Sequence, residues 1–239
     1  MKVHAQEFAT TVTAFNCGET TQFTIDMNEK AFRLLSSTLY KNKIGSIVRE
    51  VSTNARDSHI AAGKPALPIE IHMPTALEPY FSVRDFGTGM SDSTIRNVMS
   101  SYFKSTKDQS NNEAGGFGLG SKTPFAYTDS FTIESKIDGL CIVYSAIIMN
   151  GLPQLTELTR YPVDVSDTGV TITVPVDSSG DYNSFRNEVL TQLQFFTPSP
   201  RLLNYTEETI PPPIKEILVE EQGDFVVGTQ AHHIGFGDS

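Results

Sequence analysis

Two dipeptides constrain the fold of this chain more than any other feature. Asp138-Gly139 and Asn150-Gly151 each stand between runs of β-branched and aromatic residues, SFTIESKI before the first and LCIVYSAIIM between the two. Asx-Gly pairs favour two-residue hairpin turns, because such turns need positive φ at both central residues. The pattern therefore predicts strands joined as an antiparallel meander. GVTITVPV (169–176) is a further strand with clean alternation, and IEIHM (69–73) and YFSVRDF (80–86) read the same way earlier in the chain. Residues 6–15 and 20–25, rich in Thr, Phe and Val, are also candidate strands.

Helical periodicity occupies other stretches. Asn28 is placed to cap a helix over 29–41 with Phe32, Leu35 and Leu39 on one side. A second helix is expected over 43–62, stopped by Gly63 with Pro65 beyond. Ser91 can cap a short helix over 92–99. YNSFRNEVLTQLQFF buries Phe185, Val189, Leu193 and Phe196 as a helix that TPSP (197–200) ends. Together these predict an α/β chain, a two-layer α/β sandwich whose mixed, mostly antiparallel sheet is covered by helices on one face. One domain is expected over 1–200. Residues 201–239, with IPPPIKEILVEEQGDFVVG, read as a linker or the start of a truncated following domain.

The totals exclude several classes. A net charge of −10 leaves no large basic surface to neutralise a nucleic-acid backbone. No run approaches the ~18 apolar residues of a membrane span, and the first residues lack the apolar core of a signal peptide. Cys17 and Cys141 are far apart and form no metal pattern, as expected of reduced cytosolic thiols.

The 43–62 helix carries two faces. At about 100° per residue, Ile44, Ile47, Val48, Val51 and Ala55 form one apolar stripe, while Glu50, Asn54 and Asp57 line up beside it. Arg49 and Arg56 fall on a third side, toward solvent. Polar residues at the edge of a buried face are where a pocket forms. The Asn oxygen is a neutral hard ligand suited to Mg²⁺ that already carries phosphate oxygens and water. A carboxylate one turn earlier can take a proton from a water attacking a terminal phosphate.

In YFSVRDFGTGMS, Asp85 shares strand parity with Phe81 and Val83 and so points inward. A buried carboxylate needs donors, and an adenine amino group supplies one. Gly87 and Gly89 allow a sharp turn or the close approach of a ring, and Met90 either packs on that ring or fills core. The stretch Gly115, Gly116, Phe117, Gly118, Leu119, Gly120 precedes an apparent helix containing Phe125 and Ala126. Backbone N–H groups at such a junction bind phosphate. The spacing is that of neither a Walker A loop nor a dinucleotide fingerprint. Lys122 either reaches phosphate or lies at the surface. SSYFKSTKDQSNNE has the composition of a mobile lid, with Ser105, Thr106 and Lys107 as candidate phosphate contacts.

Three motifs occur in one order: REVSTNARDSH, VRDFGTGMS and GGFGLGSKTPF. They resemble the N, G1 and G2 boxes of the GHKL ATPases, the superfamily of DNA gyrase B, Hsp90, histidine kinases and MutL. The resemblance implies a Bergerat-type ATP-binding fold, with ATP and Mg²⁺ as ligands. It implies Glu50 as general base, Asn54 as Mg²⁺ ligand and Asp85 as the adenine reader. Gly87 and Gly89 would shape the adenine pocket, and Gly116, Gly118 and Gly120 would cradle phosphates. A closer likeness covers about the first 180 residues. LSSTLYKNKIGSIVRE, RDFGTGMSD, SSYFKSTK and GGFGLGSKTPFAYTDSF resemble the N-terminal part of the phage rIIA lysis-inhibition family. That likeness implies a role in lysis timing and in protection from prophage exclusion. It also implies a companion rIIB-like protein, and a location in the infected host's cytoplasm, peripheral to the inner membrane. Homodimerisation through the N-terminal strand fits the superfamily by analogy.

The chain departs from the superfamily at one place. Many members carry a Gly-Thr pair whose Thr supports the adenine-binding Asp, and here the matching pair is Gly169-Val170. Thr171 comes one residue late, and parity turns it to the other sheet face; Thr168 or a water is the candidate substitute. The alternatives to a slowly hydrolysing ATP switch are a non-catalytic nucleotide-binding or protein-interaction module and a DNA-handling GHKL ATPase.

Overall fold

The computed structural model describes residues 32, 40–100, 120–205, 217–221 and 224–228. Both Asx-Gly turns form, with φ of 52° at Asp138 and Asn150 and 75° at Gly139 and Gly151. The strands are β1 (Glu70–His72), β2 (Tyr80–Arg84), β3 (Ser130–Ile137), β4 (Leu140–Met149), β5 (Leu152–Pro162), β6 (Gly169–Pro175), β7 (Arg201–Leu202), β8 (Ile217–Glu221) and β9 (Asp224–Gly228). The first seven build one sheet in the order β5-β4-β3-β6-β2-β1-β7, and β8 and β9 pair separately. Every neighbouring pair in the large sheet is antiparallel except β1 with β7. β7 lies just past residue 200, where the sequence suggests a boundary, and it adds to the sheet edge.

The helices are α1 (Lys43–Ala61), α2 (Asp92–Ser100) and α3 (Tyr182–Gln192). The Asn42 side chain caps α1 by accepting from the Gly45 N–H at 2.9 Å, and Gly63 follows it with φ +69°. Ser91 Oγ accepts from the Thr94 N–H at the start of α2. The helix expected over 182–196 ends earlier and tightens into a 3-10 turn, Leu193–Phe195. The apparent helix after the glycine stretch is likewise a 3-10 helix, Gly120–Ala126, with Pro124 inside it. A proline there has no N–H to continue an α-helical ladder. The helix expected over 29–41 lies outside the described residues except for Phe32, which is helical, buried and edge-on to Phe125. The strands expected at 6–15 and 20–25 also lie outside them.

The core fills the space between one sheet face and the helices. Ile47, Val48, Val51 and Ala55 of α1 meet Phe81 and Val83 of β2, Phe131 and Ile133 of β3, and Phe185 and Val189 of α3. The Phe81 and Phe185 rings meet at a tilt of 30° with centroids 5.1 Å apart. At the near end of α1, Gln192 Nε2 donates to the Gly45 carbonyl and Asn42 Nδ2 to Glu188, tying α3 to that helix. Cys141 is a buried free thiol. Among the described residues no helix is long and apolar enough to cross a membrane.

Candidate functional site

α1 turns its apolar stripe into the core and leaves Glu50, Asn54 and Ser58 half-buried along the edge of that stripe, with Asp57 fully buried beside them. Arg49 and Arg56 are exposed, as the wheel predicts. Arg49 Nε lies 3.3 Å from Glu50 Oε1, an exposed contact. Tyr40, just ahead of the helix, has its hydroxyl pKa raised by burial first and then by the Glu50 carboxylate, with Arg49 opposing.

The end of the glycine stretch packs directly on this edge. A Cβ built on Gly120 would lie 2.8 Å from Glu50 Oε2 and 3.6 Å from Asn54 Nδ2. A side chain at this position would displace the Glu50 carboxylate. Thr123 then closes the 3-10 turn by donating to the Gly120 carbonyl. Ser105, Thr106, Lys107, Gly115, Gly116, Phe117, Gly118 and Leu119 lie outside the described residues. Lys122 does not lie at the surface. It is 5% exposed, and its Nζ donates to the Val98 carbonyl of α2 at 2.7 Å and approaches Ser121 Oγ. Burial lowers its pKa to about 8.

Asp85 follows β2 with the parity of Phe81 and Val83, and it is buried. Its Oδ1 accepts two hydrogen bonds of 2.9 Å, from Ser58 Oγ and from the Gly87 N–H. Burial raises its pKa; the Gly87 N–H, the Ser58 hydroxyl, His59 and the Val170 backbone pull the other way. The segment after Asp85 is seated on α1. A Cβ on Gly87 would fall 2.0 Å from Ser58 Oγ and 2.7 Å from the Ser58 carbonyl. Gly89 has φ +70°. Met90 is partly buried against the core, and Ser135 Oγ both accepts from its N–H and donates to its carbonyl.

His59, one residue past Ser58, bonds through both ring nitrogens. Nε2 accepts from the Phe86 N–H at 2.7 Å, so Nδ1 carries the proton and donates to the Leu67 carbonyl at 2.8 Å. A buried ring held this way serves the loop.

The register of β6 resolves the Gly-Thr question. Arg84 pairs with Thr171 and Val83 with Ile172, so Thr171 shares the sheet face of Arg84 and not that of Asp85. As a ligand contact beside Asp85, Thr171 is therefore displaced by strand parity. Thr168 Oγ1 donates to the Gly87 carbonyl at 2.6 Å, not to the carboxylate. Val170 accepts from the Asp85 N–H. The side-chain hydroxyl on Asp85 is that of Ser58, which the sequence analysis did not single out. Its place one helical turn after Asn54, on the same edge as Glu50, was the available signal.

Two carboxylates, an amide and the end of a glycine stretch thus surround one helix edge, with a buried acceptor toward its far end. Residues 42–150 match the family model described as histidine kinase-, DNA gyrase B- and HSP90-like ATPase. This segment is GHKL ATPase-like. The match spans α1, the loop after β2, the 3-10 helix and the β3–β4 hairpin, the elements that carry or support every described candidate residue except Thr171. No curated protein matches the chain by sequence.

Proposed function

We propose that the GHKL-like domain binds Mg-ATP at the edge of α1 and hydrolyses it slowly, as a nucleotide-controlled switch. The observation that carries this proposal is the packing of Gly120 against Glu50 and Asn54. It sets Gly120, the last residue of a stretch whose N–H groups suit phosphate, beside the carboxylate and amide that phosphoryl chemistry needs.

In this reading Asp85 accepts from the adenine amino group, with Gly87, Gly89 and Met90 forming the walls around the base. Gly115, Gly116, Phe117, Gly118, Leu119 and Gly120 wrap the phosphates, with Ser105, Thr106 and Lys107 contacting them from the lid. Asp57 supports the Asn54 side of the pocket. Glu50 receives the proton of the attacking water. Asn54 Oδ1 ligates Mg²⁺. Among the described residues no three His, Cys, Asp or Glu side chains are arranged to hold a metal, so the cation would take its other ligands from phosphate and water. Bound there, Mg²⁺ neutralises charge on the phosphate oxygens.

The wider biology rests on the sequence likeness to the phage rIIA proteins. It comprises lysis timing, protection from prophage exclusion, an rIIB-like companion and a place in the host cytoplasm near the inner membrane; a homodimer is proposed by analogy with the GHKL superfamily. The domain is taken as 1–200, with β7 adding to its sheet edge just beyond that boundary and the rest of 201–239 as a linker or the start of a following domain.

The test is calorimetric titration of Mg-ATP together with steady-state phosphate release. Saturable binding is expected. Glu50→Gln should retain binding and lose turnover by roughly 10²–10⁴-fold, the contribution of a positioned base. Asn54→Ala should lose the Mg²⁺ dependence. Binding without turnover in the unsubstituted chain would favour the non-catalytic module, and no binding would reject the switch.

A further inference from the structure

We infer that Ser58 is a positioning residue for adenine recognition, holding Asp85 so that one oxygen faces the base. It performs from α1 the service that a threonine on a strand gives elsewhere in the superfamily. The inference rests on the Mg-ATP proposal and deepens it.

Two hydrogen bonds to the Asp85 side chain, from Ser58 Oγ and the Gly87 N–H, converge on Oδ1. A carboxylate has about four acceptor sites on two oxygens. Two donors converging on one oxygen fix the plane of the group and leave Oδ2 as the oxygen for an incoming donor. An adenine presents such a donor in its 6-amino group.

The surrounding loop makes this hold rigid. His59 Nε2 takes the Phe86 N–H, Lys64 Nζ donates to the Phe86 carbonyl at 2.8 Å, and Thr168 Oγ1 donates to the Gly87 carbonyl. Each of those three side chains engages a backbone group of Phe86 or Gly87, and His59 ties the same loop to the Leu67 carbonyl as well. Ser58 is the side chain that reaches the carboxylate itself. The hydroxyl also opposes the effect of burial on Asp85, favouring the ionised, acceptor-only state. Gly87 belongs to the same device. Any Cβ there would land on Ser58 Oγ and drive the donor away from its carboxylate.

The test compares two nucleotides. ATP carries the 6-amino group; purine riboside triphosphate lacks it and is otherwise the same shape. Ser58→Ala leaves the helix and its apolar stripe intact, and folding is checked by thermal unfolding. Losing a hydrogen bond to a charged group is expected to weaken Mg-ATP binding roughly tenfold. Binding of the purine analogue, which makes no contact through that position, should change less than about twofold. Equal losses for both nucleotides would show that Ser58 only maintains the loop, and an unchanged ATP affinity would show that Asp85 needs no help; either result overturns the inference. Failure of the unsubstituted chain to bind ATP would instead reject the proposal on which the inference stands.

Discussion

Asp85→Asn should separate ligand binding from stability, with opposite signs. Asparagine can keep its Oδ1 as the acceptor of the Ser58 and Gly87 bonds. Its amide nitrogen then occupies the position of Oδ2. A donor would face the adenine amino group, itself a donor. The lost charged hydrogen bond is worth about 1.5–3 kcal/mol, or roughly 10- to 150-fold in Kd, before the donor–donor repulsion is added. Stability should move the other way. Burial raises the Asp85 pKa above its ordinary value of 3.8, so between 3.8 and that higher pKa the folded chain holds more protons than the unfolded one. Stability therefore falls as pH rises through this window and stays reduced above it. Asparagine removes the buried charge, so the variant should be more stable than the parent at neutral pH, with a flatter acid-side profile. Calorimetric titration with Mg-ATP and urea unfolding between pH 4 and about 7 measure the two effects. Unchanged ATP affinity would refute the assignment of the base. Lower stability at neutral pH would refute the reasoning about which oxygen carries the hydrogen bonds.

Two further outcomes follow from single contacts. Gly120→Ala places a methyl group 2.8 Å from Glu50 Oε2, at the end of a side chain that can swing. The fold should survive while phosphate release falls by up to about 10²-fold through misplacement of the base; an unchanged turnover number would dissociate Gly120 from Glu50. Lys122→Met should stabilise the chain at pH 7, because burial lowers the Lys122 pKa from 10.5 to about 8. In the parent, stability should climb between about pH 8 and 10.5 as the unfolded state alone keeps the proton, and the variant should lack that rise in urea unfolding.

Local pattern was legible in the sequence, and distant geometry was not. The two Asx-Gly turns and the two faces of α1 follow from rules that act over a few residues, and they form as expected. The inward aim of Asp85 follows from strand parity alone. The role of Ser58 does not, because its partner is 27 positions away and serine on a helix is ordinary. Lys122 was read as a surface or phosphate group because burying a lysine needs an acceptor, and the Val98 carbonyl comes from the end of another helix. β7 is two residues long, too short to show alternation. The 3-10 form of Gly120–Ala126 could have been anticipated from Pro124, which sits where an α-helix would need its N–H.

The fastening of the Asp85–Gly87 segment to α1 has a metrical consequence. Ser58 and His59 grip that segment, and Glu50 and Asn54 stand on the same helix. Eight residues of α-helix advance about 12 Å. For a nucleotide bound as proposed, base and terminal phosphate would be gauged against one stiff rod, so neither end of the pocket can adjust without the other. Such a site works as a caliper: it would accept a ligand of one span, and a shorter diphosphate would leave one jaw empty instead of drawing the jaws together.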